Sequence, residues 1–136
     1  METQQEPLLY VGYDDMWGKV LLVSTPLKKG EIVFELWGSV ENGPSVDTVQ
    51  IGPSQHLFCT IGSLLDHSCD PNVYLSKEDG RIFLRAVRDI EANARIFYDY
   101  DSSERKLVKP FSCWCGATIC RGLINGFSPY SKKFWE

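Results

Sequence analysis

A mainly β chain folded as one compact unit is predicted by three observations. Short runs of β-branched, aromatic and alternating residues recur along most of the chain, turn residues separate nearly all of them, and no window sustains the apolar spacing of a long amphipathic helix. The runs fall at 8–13, 19–24, 31–37, 48–51, 55–60, 73–76, 81–87 and 95–98. Lys28-Lys29-Gly30 and Asp79-Gly80 carry glycines that admit left-handed backbone, and the second joins two alternating runs as a hairpin turn does. Residues 46–57 read as another hairpin, and helix is expected only as a single turn at 63–67. The linker-like stretch 41–45 is too short to separate domains. From Lys109 onward the chain is rich in Cys, Gly and aromatics with little alternation, so 1–108 forms the main body and 109–136 a small cap and tail on the same unit.

The 136 residues include 18 acidic against 14 basic side chains, a formal charge of −4, and the pI is near 5.2. Bulk electrostatics of that sign do not hold phosphate backbones, which argues against general nucleic-acid binding and favours a basic peptide. With 43% apolar and 12% aromatic residues the chain can bury a core without disulfides, and disorder is excluded as the main state. The segment 1–7 is polar and carries Glu2 and Glu6, the reverse of a secretory signal, and no apolar run approaches the ~20 residues that cross a bilayer. The expectation is an intracellular protein, nuclear or cytoplasmic, monomeric or homodimeric, without membrane contact.

Five cysteines in such a setting point to metal or structural thiols. Cys113, Cys115 and Cys120 form a C-x-C-x4-C cluster, tight enough for one Zn²⁺ to collect three thiolates, with Gly116 allowing the turn between them. A tetrahedral structural site needs a fourth ligand. Cys69 is the candidate, because Pro71 fixes a sharp local geometry that can aim its sulfur at the cap; Cys59 is left over.

Two segments resemble one family. Asp66-His67-Ser68-Cys69-Asp70-Pro71-Asn72 looks like the N-H-S-C-x-P-N motif of SET domains, and Ile96-Phe97-Tyr98-Asp99-Tyr100 looks like their L-T-[FY]-D-Y strand end. Cys113-Trp114-Cys115-Gly116 with Cys120-Arg121-Gly122 is similar to the post-SET signature, and the three motifs stand in the family's order. Trp17-Gly18, Leu27-Lys28-Lys29-Gly30-Glu31 and Glu35-Leu36-Trp37-Gly38 resemble its opening motifs. The resemblance implies a SET-domain fold of small curved β-sheets with a pseudoknot and a C-terminal zinc-binding post-SET cap. It also implies S-adenosylmethionine-dependent transfer of a methyl group to a lysine of a protein, which a histone tail would suit. Cys69 is then the fourth zinc ligand.

Carried over residue by residue, the resemblance makes Tyr100 the catalytic tyrosine. Tyr98, two residues earlier and on the same strand face, influences how many methyls are added; its hydroxyl leans the reading toward monomethylation. Phe97 is expected to point the other way, into the core. Backbone groups around Met16 and Trp17 and at Asp66 and His67 are implied to hold S-adenosylmethionine, with Trp114 either covering the adenine or only sealing the cap. His67 and Asn72 are read as buried struts. The chain departs from the motifs where Asp66 replaces Asn, Asp14-Asp15-Met16 replace glycines, Asn93 replaces the glycine of a turn, and Ala94-Arg95 replace an acidic pair. In the short hairpin at 46–57, Gln55 and His56 are candidates either for substrate contact or for plain solvent exposure. Two other readings stay open: a catalytically silent SET module, and a SET-fold enzyme acting on a small molecule.

Overall fold

The computed structural model describes residues 8–126 and 132–136; the acidic segment 1–7, including Glu2 and Glu6, lies outside them. Twelve short strands run in order: Leu9–Asp14 (β1), Gly18–Val23 (β2), Ile32–Leu36 (β3), Ser39–Glu41 (β4), Thr48–Gly52 (β5), Gln55–Phe58 (β6), Asp66–His67 (β7), Val73–Glu78 (β8), Arg81–Ala86 (β9), Phe97–Tyr98 (β10), Phe111–Ser112 (β11) and Leu123–Ile124 (β12). One helical turn, Thr60–Ser63 (α1), and a 3₁₀ turn, Tyr100–Ser102, complete them. No helix among the described residues is long and apolar enough to cross a membrane.

The strands form small separate sheets rather than one large one. An antiparallel ribbon pairs β1 with β2, one three-stranded sheet has the order β3-β9-β8, another β4-β6-β5, and two-stranded pieces join β7 to β10 and β11 to β12. Alternation drives this arrangement: in β8 and β9 the buried Val73, Leu75, Ile82, Leu84 and Ala86 face a core shared with Val23, Val33, Leu36 and Ile96. The β8–β9 turn is the expected Asp79-Gly80, with φ of 52° and 78°, the left-handed pair that a two-residue hairpin needs. Asn93, standing where the family has the glycine of a turn, takes the left-handed conformation, φ 67°, and its Oδ1 accepts from the Tyr10 hydroxyl at 2.8 Å.

The helical turn falls at α1, not at 63–67. Asp66–His67 is instead strand β7, because its parallel partner β10 supplies hydrogen bonds that a helical turn would forgo. This pairing brings two distant motif segments together: Ser68 N–H donates to Tyr98 O, Asn72 N–H to Phe97 O, and the Asn72 side chain bridges Arg95 O and Phe97 N–H at 2.9 Å each. Asn72 is thus the strut its position suggested. Strand β4 was not foreseen from the sequence. It exists because Gly38 lets the chain pass against β6: a Cβ there would sit 2.0 Å from Phe58 O.

Candidate active site

Tyr100 stands where two cavities meet. The first, about 250 Å³, is lined by Thr48, Val49, Leu65, Tyr98 and Glu104 together with Tyr100 and Phe111. The second, about 480 Å³, is lined by Trp17, Asp66, His67, Arg95, Phe97 and Trp114 together with the same Tyr100 and Phe111. The Tyr100 ring is fixed from three sides, by His67, Tyr98 and Phe111, at centroid distances of 5.1, 5.0 and 5.8 Å. Its hydroxyl donates to Leu65 O at 2.6 Å, so the oxygen keeps its lone pairs for the junction. Burial pushes the Tyr100 phenol well above its ordinary range and the Asp66 carboxylate adds to the effect. Burial thus favours the neutral phenol, which can orient a neighbouring group.

Tyr98 is buried in the wall of the first cavity, and burial, with Glu104 next, raises its phenol well above the ordinary range. Its hydroxyl lies 3.3 Å from Ser103 Oγ, which donates to Glu104 Oε2 at 2.7 Å. The same oxygen accepts from Gln50 N–H at 2.7 Å. Burial raises the Glu104 carboxyl, and the Gln50 amide and the Ser103 hydroxyl pull it partly back. Sequence reasoning missed Ser103 and Glu104. The polar run 101–104 reads as a solvated loop, and nothing in it announces that 103 and 104 are turned inward.

His67 is the strut expected of it. Nδ1 accepts from Tyr100 N–H at 3.0 Å and Nε2 lies 3.4 Å from Cys69 Sγ, a pairing that suits the neutral ring with its proton on Nε2. Burial lowers its basicity, and Asp99, 3.7 Å away, opposes that. Phe97 departs from expectation: it lines the second cavity with the Arg95 guanidinium 4.6 Å over its ring. The two-residue strand β10 has a cavity on either face, so the side opposite Tyr98 is not core.

The proposed cofactor residues are brought together unevenly. Trp17, Asp66, His67 and Trp114 line the second cavity, Trp17 and Trp114 as exposed side chains on its rim. Met16 is exposed and is not part of that lining; its N–H and that of Trp17 both donate to Asp14 Oδ1, at 2.8 and 2.9 Å. Asp66 pairs with Arg95, Nη2 to Oδ2 at 2.5 Å, so two departures from the family motif neutralise each other. Gln55 is exposed, whereas His56 is buried; neither lines the two cavities. Burial lowers His56, and its Nδ1 has no partner among the described residues.

Cys69, Cys113, Cys115 and Cys120 place their sulfurs within 4.8 Å of one another, and the Cys69–Cys113 separation is 3.9 Å. A tetrahedral Zn²⁺ with bonds of about 2.3 Å needs sulfurs about 3.8 Å apart, so the cluster fits such an ion. Burial raises the Cys113 thiol; at Cys115 burial also pushes upward, but the amide donors of Ala117 and Cys69 together with the Cys113 and Cys120 thiols bring it below its ordinary value. The cluster lies beside the second cavity, whose wall includes Cys113 and Cys115. Arg121 fastens it to the motif strand, with Nη1 and Nη2 on the two Asp99 oxygens at 2.9 and 2.6 Å.

The SET-domain family model matches residues 18–101. The chain belongs to the SET-domain family. Among its relatives, an Aspergillus oryzae protein named histone-lysine N-methyltransferase, H3 lysine-36 specific, is 33% identical over 65% of this chain and 9% of its own length. Arabidopsis thaliana histone-lysine N-methyltransferase ATX2 is 26% identical over 91% of this chain and 13% of its own. Methyltransferase flvH of Aspergillus flavus is 28% identical over 65% and 45%. The chain therefore spans less than half the length of each. KRYPTONITE in complex with mCHG DNA and SAH shares the SET fold at TM-score 0.68 and 24% identity, over 85% of this chain and 28% of that one. Its complex with mCHH DNA, H3(1-15) peptide and SAH gives 0.67 at 25% identity, over 85% and 29%.

Proposed function

We propose that this SET domain transfers methyl groups from S-adenosylmethionine to the ε-amine of a lysine in a protein, with a histone tail as the favoured class of substrate. The observation that carries the reading is the meeting of two cavities at Tyr100 and Phe111. In-line displacement needs nucleophile and leaving group to approach one carbon from opposite sides, and two pockets opening on a shared tyrosine supply that geometry. S-adenosylmethionine, when bound, supplies an electrophilic methyl on a positively charged sulfur. The larger cavity fits it: aromatic rims at Trp17 and Trp114 and charged groups at Asp66 and Arg95 suit an adenine and an amino-acid end.

The smaller cavity takes the lysine. Its narrow wall of Val49, Leu65, Tyr98 and Phe111 disfavours an ammonium and so helps discharge an amine whose ordinary pKa is about 10.4. The released proton leaves to water, because the buried Tyr100 phenol holds its own. The Leu65 carbonyl and Tyr100 oxygen present partial negative charge where the methyl passes. The Tyr98 hydroxyl limits the turning of an already methylated amine and supports monomethylation. The four cysteines are proposed to hold a structural Zn²⁺ that docks residues 109–126 as a post-SET cap against the cofactor cavity.

A small amine is kept as a second substrate class, because the A. flavus relative, of whose length the chain spans 45%, carries the name methyltransferase alone. Zinc-loaded protein incubated with methyl-labelled S-adenosylmethionine, and separately with pooled core histones or with linear diamines, tests both. Label on histone lysine supports the main reading, label on diamines alone replaces the substrate class, and label on neither contradicts methyl transfer.

A further inference from the structure

Among the described lysines, Lys109 alone stands in the wall of either cavity. It borders the smaller one, on the same lining as Tyr100 and Phe111. The backbone that carries it is pinned on both sides: Leu107 N–H donates to Asn125 O at 2.8 Å, and Phe111 pairs with Ile124 in the β11–β12 ladder. Pro110 fixes its own φ and disfavours helical backbone at Lys109. The Lys109 side chain is exposed and takes no hydrogen bond or ion pair among the described residues. Lys77 and Lys133 differ, since their ammonium groups donate to Ile51 O at 3.0 Å and Asp101 O at 2.6 Å. The other charged side chains on the lining of the smaller cavity, Asp47 and Glu104, are both acidic, so the field there draws the free ammonium inward.

We propose that Lys109 is a methyl acceptor within its own chain, its four-carbon stem folding into the smaller cavity so that the ε-amine is methylated beside Tyr100. The inference rests on the methyltransferase reading of the two cavities. Tethering takes the place of binding: a flexible side chain rooted in the wall is present at an effective concentration on the order of millimolar or above, without any peptide groove to deliver it. Once the amine has given its proton to water, its lone pair forms the N–CH3 bond. The S–CH3 bond of S-adenosylmethionine breaks, and its electron pair stays on sulfur to give S-adenosylhomocysteine. In the same position Lys109 competes with any outside amine for the cavity, so it is both a modification site and an intramolecular competitor.

Zinc-loaded protein incubated with methyl-labelled S-adenosylmethionine, alone and with core histones or linear diamines, tests this when the label is mapped by peptide mass spectrometry. Label is expected at Lys109, at a rate per molecule independent of protein concentration, and is expected to be lost in Lys109→Arg, which keeps the charge. A binding measurement reads the same contact without turnover. With S-adenosylhomocysteine bound, Lys109→Ala is expected to take n-butylamine about tenfold more tightly than wild type, because the tethered competitor is gone. Label on an added acceptor with none at Lys109, self-label spread over other lysines, a rate that rises with concentration, or equal butylamine affinities overturn the inference and leave the methyltransferase reading intact. Label on no acceptor at all removes both.

Discussion

Tyr98 ends a chain of hydrogen bonds whose direction is set by Glu104. With the Ser103 hydroxyl donating to Glu104 Oε2, the Tyr98 hydroxyl is the donor across the 3.3 Å gap and Ser103 Oγ the acceptor. That leaves the Tyr98 lone pairs for the smaller cavity, proposed to take the lysine. Tyr98→Phe removes the hydroxyl and is expected to raise the share of di- and trimethylated product, read by mass spectrometry; an unchanged distribution removes the assignment. Glu104 gives a pH test. Its carboxyl is raised from 4.5, so the protein binds that proton more tightly folded than unfolded. The stabilisation is complete below 4.5 and is lost as pH rises through the folded value. The Tm of Glu104→Gln should therefore gain on wild type as pH rises from about 5 to about 8; a constant difference would contradict the buried carboxylate. At this scale the residues inside the contiguous motifs, Tyr100, His67 and the four cysteines, were legible. The inward turn of Glu104 and the placement of Phe97 in the cavity wall were not, because both depend on what tertiary pairing places opposite them.

Elements position these residues by close approach and by cross-linking. Gly38 admits β4 to β6 at a spacing that leaves no room for a methyl group, so Gly38→Ala must move backbone and is expected to destabilise by ~3 kcal/mol in chemical denaturation. A loss below ~1 kcal/mol would mean the β4 edge yields freely. The cysteine cluster ties β7 to the segment around β11 and β12. Cys115→Ser should release the metal, measured by elemental analysis, and weaken S-adenosylhomocysteine binding because Cys113, Trp114 and Cys115 line that cavity. Full metal retention would contradict a four-thiolate site. Alternation and turn chemistry made most strands readable in the sequence. Asp66–His67 escaped because a two-residue parallel strand has no period of its own and exists only through β10.

Across the whole molecule, the last described residues return to the turn that carries Tyr100. Phe134 N–H donates to Ser102 O at 2.8 Å, Trp135 Nε1 to Ser103 O at 2.9 Å, and Lys133 Nζ to Asp101 O at 2.6 Å. Arg105 stacks over Trp135 at 4.8 Å. The C-terminus thus holds the turn from which Tyr100 and Glu104 project, a link that sequence order conceals because about thirty residues and the cysteine cluster intervene. Trp135→Ala is expected to cost about 2–4 kcal/mol of stability, and a Tm equal to wild type would show that the tail is idle. The two cavities that share Tyr100 are proposed as a cofactor site and a lysine site. A crystal structure of the zinc-loaded protein with S-adenosylhomocysteine tests this most directly. The ligand sulfur is expected at the junction of Tyr100 and Phe111, with the amino-acid end against Asp66 and Arg95. A ligand bound elsewhere, or a sulfur remote from Tyr100, would contradict it.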